Sequence, residues 1–256
     1  MSEGGETPMS EGGKRPVREG GERPVRASHT PVRPLVGRIV IATHNAGKLA
    51  EMTELLAPYG LACVSAGALG LPEPVENGTL YAENAAIKAR AAAQATGLPA
   101  LADDSGLSIE DLDGAPGLFT ADWAGNPRDF KAAMARVKYE LELRDIEPEG
   151  VKAHFVSALV LAWPDGDMLL AEGRCFGRLT FPPRGERGFG YDPIFVPEGE
   201  NRTFGEITSE EKHGIRRVNG RLEGLSHRAR AFIRLVEKAG LVEKTDRAKA
   251  RSAEPL

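Results

Sequence analysis

The chain has 256 residues, 41% hydrophobic and 27% charged, with a formal net charge of −4. That is enough apolar material for one or two cored domains, while the mildly acidic balance argues against broad nucleic-acid binding, so no stable nucleic-acid partner is expected. No run of about 18 apolar residues marks a membrane span, the first residues carry no apolar signal region, and two isolated cysteines, Cys63 and Cys175, suit a reducing cytoplasm rather than a disulfide framework.

Residues 1–36 repeat a theme rich in Gly, Pro, Glu and Arg (SEGGETP, SEGGKRPVR, EGGERPVR). Such a stretch buries too little apolar surface to offset its ordering entropy, and a disordered extension is expected there. The folded domain is expected over 37–240, followed by a charged, frayed tail over 241–256.

Arg38–Ala42 is an apolar β run. Ala46–Leu56 then places Leu49, Met52, Leu55 and Leu56 on one helical face. Between them lies Thr43-His44-Asn45. The stretch has the Gly47-Lys48 of a phosphate loop, but Ala42 replaces its first glycine and Leu49 its closing hydroxyl. A helix start still offers outward N–H groups and partial positive charge to a phosphate. Thr43 and Asn45 can donate, Gly47 permits close approach, and Lys48 adds a full charge. An N-capped surface helix would carry the same residues.

Thr79–Ala95 reads as an alanine-rich helix stopped by Gly97 and Pro99. Glu76 and Glu83 flank its start, and Asn84 and Lys88 share one face. These could serve a metal and its phosphate, or form an ordinary helix surface. Leu98–Ala102 reads as a buried strand ending at Asp103. Adjacent acids, Asp103 and Asp104, at a strand end of an α/β sheet stand where ligands tend to sit. Carboxylates there suit Mg2+, and one of them could orient or deprotonate a water.

Arg128–Leu143 reads as a helix. Ala153–Trp163 and Met168–Cys175 read as strands around Pro164-Asp165-Gly166. In Gly188-Phe189-Gly190-Tyr191-Asp192-Pro193 two glycines free the backbone, the rings offer a face to a base, and Asp192 can accept from a base N–H. Glu210-Glu211-Lys212 and Ser226-His227-Arg228 bring cations and an imidazole able to meet a purine oxygen. Ser226 is the expected N-cap of a last helix over Ser226–Lys238. Helices alternating with strands, then a hairpin, predict an α/β fold with a mixed sheet.

Taken in order, THNAGK, ENAAIKA, LADDSGL with GAPG, GFGYDP, EEK and SHR resemble the non-canonical purine nucleoside triphosphate pyrophosphatase family, the dITP/XTP (inosine triphosphate) pyrophosphatases, from Ile39 to about Val236. The resemblance implies a two-lobed α/β fold with a long central mixed β-sheet and flanking helices, the active site lying in the cleft between lobes. It implies a homodimer, dependence on Mg2+, and hydrolysis of ITP, dITP or XTP to the monophosphate and pyrophosphate. By the same resemblance Thr43, His44, Asn45, Ala46, Gly47 and Lys48 hold the triphosphate. Asp104 is the catalytic carboxylate and, with Glu76, a Mg2+ ligand; Glu73 and Glu83 are the alternatives to Glu76. Ser105 contacts substrate, and Phe189, Gly190, Tyr191, Asp192, Lys212, His227 and Arg228 recognise the base. Two features depart from the family pattern. TADW places Asp122 where Arg usually follows GAPG, and the link HGIRRVNGRLEGL between Lys212 and Ser226 is longer than usual.

Overall fold

A computed structural model of the chain describes Met1, Arg33 and residues 35–244. Most of the expected extension over 1–36 and of the tail over 241–256 lies outside these residues. Leu35, within that expected extension, is nevertheless 2% exposed and packs in the core. Arg33 pairs with Asp165 and Asp167 and lies over the Trp163 ring.

The elements follow in order as β1 (Arg38–Ile41), α1 (Ala46–Leu56), β2 (Ala62–Ser65), α2 (Tyr81–Thr96), β3 (Ala100–Ile109), α3 (Phe130–Glu142) and β4 (Lys152–Ala162). Then come β5 (Met168–Leu179), β6 (Phe195–Pro197), α4 (Ser209–His213), β7 (Arg216–Val218), β8 (Arg221–Glu223) and α5 (His227–Ala239). Among the described residues, six strands form a mixed sheet in the order β2-β1-β3-β4-β5-β6. β1 runs parallel to β2 and β3, and the remaining neighbours are antiparallel. No described helix is long and apolar enough to cross a membrane.

β3, β4 and β5 are long enough to pass through two separate cores, and these give the two lobes. At the β1 end, α1 and α5 cover one sheet face, where Ile39, Ile41, Met52, Leu56, Leu101 and Phe232 are buried together. α2 covers the opposite face with Ala85, Ala89, Ala92 and Ala93 against Val40, Ala100 and Val160. Small side chains on α2 bring helix and sheet close, and that is what the alanine-rich sequence specifies. At the other end, α3 supplies Met134, Val137 and Leu141 to a core holding Leu107, Ile109, Phe155 and Phe195.

β3 is the main correction to the sequence reading. The strand does not stop at Asp103; it continues through DDSGLSI to Ile109, fully paired with β4. Side chains alternate along a strand, so Leu101, Asp103, Ser105 and Leu107 share one face and Ala102, Asp104 and Gly106 the other. The two acids read as a stop because carboxylates seldom enter a core. Here they enter it with partners.

β5 pairs with β6 only at Gly177–Leu179, leaving Met168–Phe176 at the sheet edge. The carbonyls of Leu170, Glu172 and Arg174 are capped from α5, by Lys238 Nζ (2.7 Å), Arg234 NH1 (2.6 Å) and Arg230 NH1 (2.9 Å). α5 is seated directly on β5 at Gly173, where a Cβ would come within 2.3 Å of Ala231 N and His227 O.

Candidate active site

Between the two lobes lies a cavity of about 520 Å³. The start of α1 forms part of its wall. Asn45 N-caps this helix, its Oδ1 accepting from Lys48 N at 3.1 Å, and Thr43 Oγ1 accepts from Asn45 N at 3.1 Å. Among the described residues the N–H groups of Ala46 and Gly47 have no acceptor. A helix start with open N–H groups attracts an anion. Thr43, His44, Asn45 and Lys48 line the cavity, whereas Ala46 and Gly47 do not. Gly47 instead makes room for Phe189: a Cβ there would stand 2.5 Å from its ring. His44 Nε2 lies 3.1 Å from Leu71 O.

Asp103 and Asp104 leave β3 on opposite faces. Asp104 takes the α2 side. Its Oδ1 accepts from Lys88 Nζ at 2.9 Å, and the same ammonium lies 3.0 Å from Glu76 Oε2. Asn84 Nδ2 reaches Asp104 Oδ2 at 3.5 Å. Burial raises the Asp104 carboxyl above its ordinary value despite Lys88 and Lys48 nearby. Burial alone would lower the Lys88 ammonium, but Asp104 and Glu76 hold it above its usual value. Two carboxylates thus converge on one cationic atom. Hard oxygen donors in that arrangement fit a Mg2+ ion, which takes one or two carboxylates and completes its shell with water and phosphate. Of the alternatives, Glu83 is engaged elsewhere, since its Oε2 accepts from Thr79 N (2.7 Å) and Leu80 N (3.2 Å) at the start of α2. Glu73 lines the cavity beside His44, 3.9 Å from its Nδ1.

Asp103 takes the other face and is 3% exposed. It receives Lys48 Nζ (3.0 Å), Arg228 NH2 (3.0 Å), Ser105 Oγ (3.0 Å) and Ser157 Oγ. Burial alone would raise its carboxyl, but Arg228, Lys48 and Ser157 hold it well below the usual range. Lys48 and Asp104 therefore share one cavity, with Lys48 anchored on the residue next to Asp104.

Arg228, 1% exposed, is gripped by Glu51 of α1 and by Asp103, and also donates to Ser105 Oγ at 3.1 Å. Glu51 further holds Lys212 Nζ (3.5 Å) and His213 Nε2 (2.6 Å). Asp192 Oδ2 clasps Lys212 Nζ at 2.7 Å and Phe189 N at 2.9 Å. The clasp needs Gly188 at φ +71°, whose Cβ would otherwise strike Asp192 Oδ2. Lys212 Nζ sits 5.4 Å from the centre of the Phe189 ring. His227 stacks on Phe155 at 4.9 Å, and its buried Nδ1 has no partner among the described residues. Burial, then Arg228 and Lys212, keep this imidazole neutral well below its usual value.

Phe189, Gly190, Tyr191, Asp192, Lys212, His227 and Arg228 all line the cavity, as do Ser105, Asp104 and Glu76. Tyr191 contributes mainly to the wall, with its ring edge-on to Phe130 at 5.6 Å and its OH donating to Thr120 O at 3.1 Å. The long link after Lys212 forms the β7–β8 hairpin and returns, so that Ser226 N donates to Lys212 O at 3.0 Å. The extra residues leave the chain before the site and rejoin it at the same place. Sequence reasoning missed Glu51, which stands three residues after Lys48 in the otherwise apolar stripe of Met52 and Leu55; a lone carboxylate in such a stripe was the available signal. It also left His213 and Ser157 unassigned.

The model of the Ham1 family matches residues 39–238. The chain belongs to the Ham1 family. A Rhodopseudomonas palustris protein named dITP/XTP pyrophosphatase is 58% identical over 206 residues, covering 80% of this chain and 97% of its own. One of the same name from a Bradyrhizobium species is 59% identical over 206 residues, covering 80% and 95%. A solved Ham1 protein from Coxiella burnetii aligns with a TM-score of 0.68 at 37% identity, covering 79% of this chain and 98% of its own. The Staphylococcus aureus Ham1 protein gives 0.64 at 29% identity, covering 80% and 97%. The Ham1 match thus spans both lobes and every motif that reaches the cavity.

Proposed function

We propose that this chain hydrolyses ITP, dITP and XTP to the nucleoside monophosphate and pyrophosphate. One observation supports the reading: a single cavity joins Thr43, Asn45 and Lys48 at the start of α1 and a carboxylate pair, Asp104 and Glu76, to Lys212, His227 and Arg228. The triphosphate lies along Thr43–Lys48. Asp104 orients a water and takes its proton as the water oxygen bonds to the α-phosphorus; the bond to the bridging oxygen breaks and pyrophosphate departs. Asp104 and Glu76 would hold Mg2+, which supplies positive charge to the phosphate oxygens when bound.

At the other end, Phe189 offers a ring face to the base. Lys212, His227 and Arg228 supply the donors that a purine oxygen at position 6 accepts. An amino group in that place leaves them unpaired in a buried site, a heavy penalty against adenosine. We propose further that the enzyme works as a cytoplasmic homodimer, with no stable nucleic-acid or membrane partner.

The test is a panel of ITP, dITP, XTP, ATP and GTP with Mg2+, products separated by chromatography. The reading requires pyrophosphate and a monophosphate, with kcat/KM for ITP or XTP far above that for ATP. Release of inorganic phosphate, or equal rates for ITP and ATP, overturns it.

A further inference from the structure

The cavity's cations are unequal. Lys48 is paired with Asp103, Lys88 with Asp104 and Glu76, Lys212 with Asp192 and Glu51, and Arg228 with Glu51 and Asp103. Arg128 also lines the cavity, and among the described residues no carboxylate pairs with it. A guanidinium with no protein partner keeps its whole fork of donors for a ligand.

Its backbone is nonetheless fixed. Asp129 N donates to Ala124 O at 2.7 Å, and Asp129 N-caps α3 by accepting from Ala132 N at 3.0 Å. Phe130 next to it packs on Tyr191 in the cavity wall. The side chain is thus exposed and free, on a backbone held by the two residues that follow it. Asp122 lines the same cavity. It adds a carboxylate to the lining.

We propose that Arg128, placed just before α3, binds the phosphate chain of the substrate. This rests on the nucleotide reading above. A triphosphate is the strongly anionic part of such a ligand, and bidentate guanidinium–phosphate contacts are the strong ones.

The test uses the full chain and Arg128→Gln, an exposed change that leaves the core intact. Two readouts are needed: kinetics with ITP, and calorimetric binding of inorganic tripolyphosphate beside uncharged inosine. The variant should raise KM for ITP roughly tenfold, as loss of a charged hydrogen bond does, with kcat within about twofold. Tripolyphosphate should weaken by a similar factor while inosine is unchanged. An unaltered KM and tripolyphosphate affinity overturns the proposal, as does an equal loss for inosine. If the parent chain hydrolyses no triphosphate yet binds tripolyphosphate through Arg128, the nucleotide reading falls and the anion site stands.

Discussion

Asp103 and Asp104 are neighbours on β3, yet they hold different cations on opposite faces of the sheet. Asp103 anchors Arg228 and Lys48, and Asp104 anchors Lys88. One peptide bond therefore separates a residue buried among cations from one that lines the cavity beside Lys88 and Glu76.

Asp104→Asn should abolish turnover while keeping the fold. Removing a positioned base typically costs a hundredfold or more, on the order of 10² to 10⁴. Lys88 retains Glu76, so the melting temperature should move by only a few degrees. Near-normal kcat in this variant would refute the assignment.

Asp103→Asn should behave differently. It leaves Arg228 and Lys48 short of a buried counter-charge, and breaking a buried pair costs about 3–5 kcal/mol. Denaturant titration should show that loss, with ITP affinity falling too because Arg228 loses its seat. Stability within about 1 kcal/mol of the parent chain would contradict the network described here.

Much of this was legible in the sequence, and unevenly so. Ala46–Leu56 was read with its observed bounds because its signals are local: a period of apolar residues after an N-capping Asn. Most residues of the quoted motifs line the cavity, though Ala46 and Gly47 do not. The path of β3 was not legible, because what lets Asp103 enter the core is Arg228, 125 residues further on. The β7–β8 hairpin was signalled by Asn219-Gly220, both at positive φ, between RRV and RLE; it read only as an overlong link. Strands as short as β2 and β6 carry too few residues for alternation to register.

Acid should destabilise the protein before its carboxylates titrate. Burial keeps His213 and His227 neutral below their ordinary value. The unfolded chain takes up protons below about pH 6.5 that the folded chain refuses. Stability should therefore fall with pH from that point, by about 1.4 kcal/mol per pH unit for each such imidazole. Asp103 and Glu51, held low, add a second loss: their stabilisation is complete above the ordinary carboxylate range and disappears as pH drops through their folded values. Denaturation midpoints at pH 8, 6 and 5 check this, and a flat profile down to pH 5 would exclude it.

Gly173→Ala should be costly although it adds one methyl. The new Cβ would meet backbone atoms of α5 at 2.3 Å, and helix or strand must shift. Overpacking of this kind costs about 1–3 kcal/mol. Because the contact is with His227 O, the shift also moves the cavity wall at His227 and Arg228. A lowered melting temperature together with a raised KM for ITP is expected.

The cationic side chains of α5 that cap Leu170, Glu172 and Arg174 have a meaning for self-association. A newcomer strand laid along this border would find its amide hydrogens facing oxygens already taken by guanidinium and ammonium groups. Ladder growth would stall at the first rung. This stretch of the β5 border is shielded against templated stacking by the side chains of the helix seated on it.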